Sequence, residues 1–116
     1  MKMKLIIAMV SETKTDAVID AARAAGATGA TVITSARGAG LKPQKTFLGL
    51  DLSGQRDLVL FLVADLKARE ILETIGRAAN VDVEEGAGIV LQIDIEDVIG
   101  IASQIPTLKS EIEDAI

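Results

Sequence analysis

Apolar positions run unbroken from Leu58 to Ala64, after Arg56-Asp57 and before Asp65. That is a strand's length, and its valines and phenylalanine suit a pleated surface. A strand with one wet face alternates apolar with polar. This one does not, so both of its faces are expected to be buried. The chain offers only two long helical patterns, enough to cover one face of a small sheet. The opposite face is therefore expected to be covered by another subunit.

Leu5 to Val10 is a shorter apolar run ended by Ser11, a buried first strand. Thr13 and Asp16 have capping-box spacing, and Val18, Ala21, Ala22 and Ala25 then mark one helical face that closes at Gly26. Thr31 to Ala36 reads as a second strand. Residues 41–56 carry Pro43, Gly49 and Gly54 and form the longest irregular connection. Within it Leu48, Leu50 and Leu52 alternate, the pattern of an extended hairpin arm. After the central strand a helix begins at Ala64 or Asp65, with Ala68, Ile71, Leu72, Ile75, Ala78 and Ala79 inward. Arg69, Glu73 and Arg77 are spaced for i, i+4 ion pairs on its outer side. Asn80 to Gly88 is an acidic, glycine-rich loop. Ile89, Leu91, Ile93 and Ile95 alternate with Val90, Gln92 and Asp94 as a fourth strand. Glu96 to Ile101 is expected to form a short helical turn, Pro106 to break the pattern, and Leu108 to Ile116 to be an acidic tail or last helix.

The order β-α-β-β-α-β predicts an α+β fold. It is a ferredoxin-like βαββαβ sandwich, with a four-stranded antiparallel sheet and two helices on one face. The expected organisation is a single domain over 1–116, with a long loop at 41–56 and a C-terminal tail at 102–116. A length of 116 residues suits one hydrophobic core.

Composition narrows the chemistry. There are two Phe and no Trp or Tyr, so the core is built from aliphatic residues and no stacking platform for single-stranded nucleic acid exists. A net charge of −5 disfavours binding to a phosphate backbone. The absence of Cys and His removes disulfides, thiolate ligands, imidazole ligands and the commonest general base. No Ser, Thr or Lys has a recognisable activating base beside it in sequence, and no enzyme is predicted. Asp82, Glu84 and Glu85 offer carboxylate oxygens, but acidic loops are usually solvated and no metal is predicted. The apolar run after Lys2 and Lys4 is too short for a signal-peptide core, and nothing approaches membrane-spanning length. A cytoplasmic address with no membrane insertion is the default expectation.

Gly26-Ala27-Thr28-Gly29-Ala30-Thr31-Val32 followed by Gly38-Ala39-Gly40 resembles the pattern G-x-T-G-x-T-V…G-x-G of the PII signalling proteins. Gly86-Ala87-Gly88-Ile89 is similar in place to that family's second glycine loop. Ile93-Asp94-Ile95-Glu96-Asp97-Val98-Ile99 resembles its last core strand. The likeness keeps its order over most of the chain, and its weight lies in that order because each motif is short. It implies a homotrimer of ferredoxin-like subunits with an adenine nucleotide (ATP, ADP or AMP) or another small anion in each inter-subunit cleft. It further implies signal transduction, typically in nitrogen regulation, through a long loop that touches a target transporter or enzyme.

By that resemblance the ligand residues are Gly29, Thr31, Gly38, Ala39, Gly40, Lys42, Gly86, Ala87 and Gly88, with Thr31 at the base end of the nucleotide. Glycines let backbone N–H groups close on phosphate oxygens. The same glycines also read as plain turn residues at strand ends. Lys45, Phe47, Leu48 and Leu50 are the candidate partner contacts; packing against a neighbouring subunit is their alternative role.

The departures are specific. Ala87 and Ile89 stand where the family's G-D-G-K has its acid and its phosphate-binding lysine. Ile99-Gly100-Ile101-Ala102 replaces an I-R-I-R pattern and lacks both arginines. Each lost charge-assisted contact is worth roughly 1.5–3 kcal/mol, unless Arg37, Lys42 or Lys45 substitutes. Without any Tyr the family's tyrosine modification is excluded. Leu41-Lys42 replaces the Arg-Gln that serves Mg²⁺ and 2-oxoglutarate, so 2-oxoglutarate sensing is not predicted. The reading is a PII-like regulator that binds an effector between subunits and signals through 41–56. The alternative is an oligomeric structural or interaction module that has lost nucleotide binding. A metal-binding trimer of the CutA kind is disfavoured for want of His and Cys.

Overall fold

The computed structural model describes residues 1–36, 46–47, 50–51 and 55–115, apart from the side chains of the two short pairs and of 111–115. Strands β1 (Met3–Ser11), β2 (Thr31–Ala36), β5 (Arg56–Ala64) and β6 (Gly88–Asp94) form one sheet in the order β2-β5-β1-β6. Each recorded pairing is antiparallel. The ferredoxin-like topology expected from the element order is the one observed. Two two-residue strands, β3 (Thr46–Phe47) and β4 (Leu50–Asp51), pair as a hairpin within the long connection.

Helices α1 (Thr15–Ala24) and α2 (Asp65–Ala79) pack on one face of the sheet. Val18 and Ala22 of α1, with Ala68, Ile71, Ile75 and Ala79 of α2, are fully or almost fully buried against Ile6, Ala8, Val10, Val59, Phe61 and Val63. The small alanines let both helices approach the strands closely, while Phe61 is the largest fully buried side chain. Asp65 in the first turn and Arg77 in the last favour the dipole of α2. Asn80 ends that helix in the left-handed region at φ 56°.

The opposite face is just as apolar and carries no helix. Leu5, Ile7 and Met9 lie beside Leu62, Leu60 and Leu58 on one side and Ile93, Leu91 and Ile89 on the other. These side chains are half-buried, except Ile93, which is exposed. The expectation that the central strand is buried on both faces therefore holds fully on the helix side and only halfway on the other.

Four local expectations are corrected. The Thr13–Asp16 capping box does not form: Ser11 instead caps a 3-10 turn at Glu12–Lys14, and the residue before α1 is Lys14, with no side-chain cap. Arg69 pairs with Glu73 at 2.8 Å, but Arg77 reaches the Thr74 hydroxyl rather than Glu73. No helical turn occupies 96–101; the turn falls at Ala102–Gln104 and leads into a third helix, α3 (Ile105–Ala115). Pro106 sits in the first turn of α3, where its missing N–H has no partner to lose. Leu108 of α3 is buried, and the helix touches α2 and β5.

Candidate functional site

The 80–88 loop is built by three local devices. Val81, Val83, Glu84 and Ala87 donate backbone N–H bonds to Gly76, Asn80, Asn80 and Glu84, which winds the segment into consecutive turns. Lys14 then straps it down: its Nζ lies 2.8 Å from Ala79 O at the end of α2 and 2.6 Å from Glu84 Oε2. At the far end, Gly88 passes so close to β1 that a Cβ would lie 2.5 Å from Met9 O. Nothing larger than glycine fits there.

The predicted residues thus separate. Gly86 has φ 74°, a turn glycine, and Ala87 is buried with its amide spent on Glu84. Gly88 is accounted for by its approach to Met9. Gly29 differs, because a Cβ there would meet nothing within 4 Å and its φ is not positive. Thr31 opens β2, exposed and opposite Leu60. Gly38, Ala39, Gly40, Lys42, Lys45 and Leu48 lie outside the described residues. The backbones of Phe47 and Leu50 pair with one another across the small hairpin.

Within one chain these groups are not a single pocket. Gly29 and Thr31 flank one edge of the sheet and Gly86 to Gly88 the other, with β5 and β1 between them. Three strand spacings separate β2 from β6, roughly 14 Å. Along the β6 edge a groove of about 630 Å³ runs between α2 and the strand, floored by Leu72, Val81 and Val90 and flanked by Arg69 and Arg77.

Sequence reading missed two further features. Thr15 Oγ1 donates to Asp57 Oδ2 at 2.6 Å in a buried pair that ties α1 to the start of β5. The adjoining Arg56 is also buried. An acid directly before an apolar run was the available signal. Lys4 pairs with Asp94 at 2.8 Å and lies 3.8 Å from Asp65. The hydrogen bond with Asp94 raises the Lys4 pKa, and Lys4 in turn lowers that of Asp94. Among the described residues no group of three or more acidic side chains is gathered to hold a metal ion. No described helix is long and apolar enough to cross a membrane.

A four-stranded antiparallel sheet in this order with helices on one face defines the class: a ferredoxin-like α+β protein. The family model of nitrogen regulatory protein P-II matches residues 3–104, and the chain belongs to that family. Among solved structures it is similar to CPII of Thiomonas intermedia bound to ADP, AMP and acetate, at 17% identity and TM-score 0.64 over 86% of this chain and 92% of that one. It is also similar to a candidate PII-like signalling protein of Thermus thermophilus, at 20% identity and TM-score 0.60 over 81% and 87%. A comparison with curated proteins gives no match.

Proposed function

We propose that this protein is a PII-like signal-transduction regulator, a homotrimer that binds an adenine nucleotide or a related small anion in clefts between subunits. It controls a target transporter or enzyme through residues 41–56 and is not itself an enzyme. The observation that carries this reading is the helix-free sheet face. Its apolar rows on β1, β5 and β6 stay half in water within one chain. Extensive apolar surface of this kind is an association site. CPII, a structural neighbour, holds ADP and AMP, which supports the ligand class. The effector acts by binding one state of the 41–56 segment more tightly than another, since a ligand shifts an equilibrium only by its differential affinity.

Native mass spectrometry is expected to give three times the 12.1 kDa chain mass. Titration calorimetry with ATP, ADP, AMP, cyclic nucleotides and bicarbonate is expected to give binding for at least one. The second reading, an interaction module without a small-molecule site, is favoured by the Gly86–Ile89 segment. Packing accounts for Gly88, the Ala87 amide is taken, and Ile89 brings no charge. If no ligand binds while a pull-down still recovers a partner, that second reading replaces the first.

A further inference from the structure

We infer that the turn at residues 12–15 couples the 80–88 loop to the point where the chain enters β5, so that moving either one disturbs the other. The coupling is a property of a single chain. Its use in signalling rests on the function proposed above; its existence does not.

Three residues of this turn hold segments that are distant in sequence. The Glu12 amide donates to Gln55 O at 3.3 Å, just before β5. Thr15 Oγ1 donates to Asp57 Oδ2 at 2.6 Å, on the second residue of that strand. Between them Lys14 serves the other segment, with Nζ 2.8 Å from Ala79 O and 2.6 Å from Glu84 Oε2. Lys14 and Thr15 are neighbours at the start of α1. Helical backbone turns successive side chains about 100° apart, so one step along the chain reaches both segments.

The turn is braced against bending on its own. Ser11 caps it by accepting from the Thr13 N–H, and the Ser11 and Thr13 hydroxyls meet at 3.1 Å. Thr15 is buried, as are Val18 and Ala22 further along α1, so this end of the helix is packed rather than loose. The contacts are also costly to break one at a time. Asp57 is 6% exposed, and the Lys14 side chain 19%. A charge left under such cover without its partner is destabilising. If the 80–88 loop moves, Glu84 and Ala79 O leave the ammonium behind unless the turn follows them. If the turn follows, the Thr15 hydroxyl is drawn off Asp57. A displacement starting at Asp57 runs the same course in reverse, as any such coupling must.

Amide exchange followed by NMR on the full chain tests this from both ends. Thr15→Val removes the hydroxyl that serves β5 and leaves Lys14 as it is. It is expected to speed exchange of the Val83 and Glu84 amides, both bonded to Asn80 O, relative to the core amides of β1. The expected factor is at least about twofold, the lower bound for residues that share one network. Glu84→Ala removes the carboxylate at the other end and is expected to speed exchange of the Glu12 amide by a similar factor. Thr15→Ser keeps the hydroxyl and is expected to match the parent. If Thr15→Val leaves Val83 and Glu84 unchanged, or speeds them only as much as the core, the inference falls. It falls too if Thr15→Ser speeds the loop as much as Thr15→Val does, because lost packing would then be the cause. Should Thr15→Val fail to fold, an unchanged Glu12 amide in Glu84→Ala overturns the inference by itself. None of these results depends on a trimer or a bound nucleotide, so the proposed function stands or falls by its own tests.

Discussion

The two faces of the sheet carry nearly the same residue types and meet different fates. On the helix side Ile6, Ala8, Val10, Val59, Phe61 and Val63 are at most 1% exposed. On the other side Leu5, Ile7, Met9, Leu58, Leu60 and Leu62 are only half-buried. Hydrophobicity therefore does not distinguish them; what differs is where their cover comes from. One face is completed by α1 and α2 of the same chain; the other, in the function proposed above, is completed by association.

Neighbouring substitutions on β5 break that comparison most directly. Phe61→Ala, on the covered side, is expected to destabilise the folded chain by about 3–5 kcal/mol through the cavity it leaves, read as a lower urea midpoint at fixed protein concentration. Leu60→Asp, one residue away, is expected to leave a folded single chain and weaken association by at least about 3 kcal/mol per copy, because the trimer would bury an unpaired charge. Retained trimer mass in Leu60→Asp would remove the distinction between the faces.

The glycines sharpen the same contrast at smaller scale. Gly88→Ala meets Met9 O in its own chain and is expected to lower stability by roughly 1–3 kcal/mol. Gly29→Ala meets nothing in its own chain, so its stability in a thermal melt should barely change, by no more than about 0.5 kcal/mol. If Gly29 faces a ligand or a neighbour, nucleotide affinity or trimer mass changes in Gly29→Ala while the fold does not.

The smallest effect lies at the rim, where Lys4 and Asp94 meet. Asp94 is held below the usual carboxylate range, so its contribution to stability is full above that range and fades as pH falls through its folded value. Lys4 is raised, so its contribution is full below the ordinary lysine range and fades as pH climbs through its own folded value. Asp94→Asn is expected to flatten both limbs slightly in a series of thermal melts, its small loss of stability being greatest at neutral pH and vanishing towards both extremes. Limbs identical to the parent's would show the pair adds nothing, as exposed pairs often do.

Much of this is legible in the chain. The uninterrupted Leu58–Ala64 run predicts a central strand without a wet face, and the element order predicts the sheet. Contacts between distant segments are not legible. Ser11 takes the capping role from Thr13 because the chain first turns through a 3-10 segment. Pro106 reads as a breaker, although the first turn of a helix accepts it. Ser35, at φ 59°, sits in the register shift between Ile33 and Ala36, which no local pattern announces. At the candidate site the loop's place is visible and the reason for Gly88 is not, because Met9 reaches it only across the β1–β6 ladder.

The bareness of β2, an edge strand with five of its six residues exposed, has a consequence during synthesis. A newly made chain carries an unguarded ribbon that the open ladder of another molecule can join. Low yield of the newly made protein would then reflect fibrous deposits built strand on strand, even where each molecule is soundly folded.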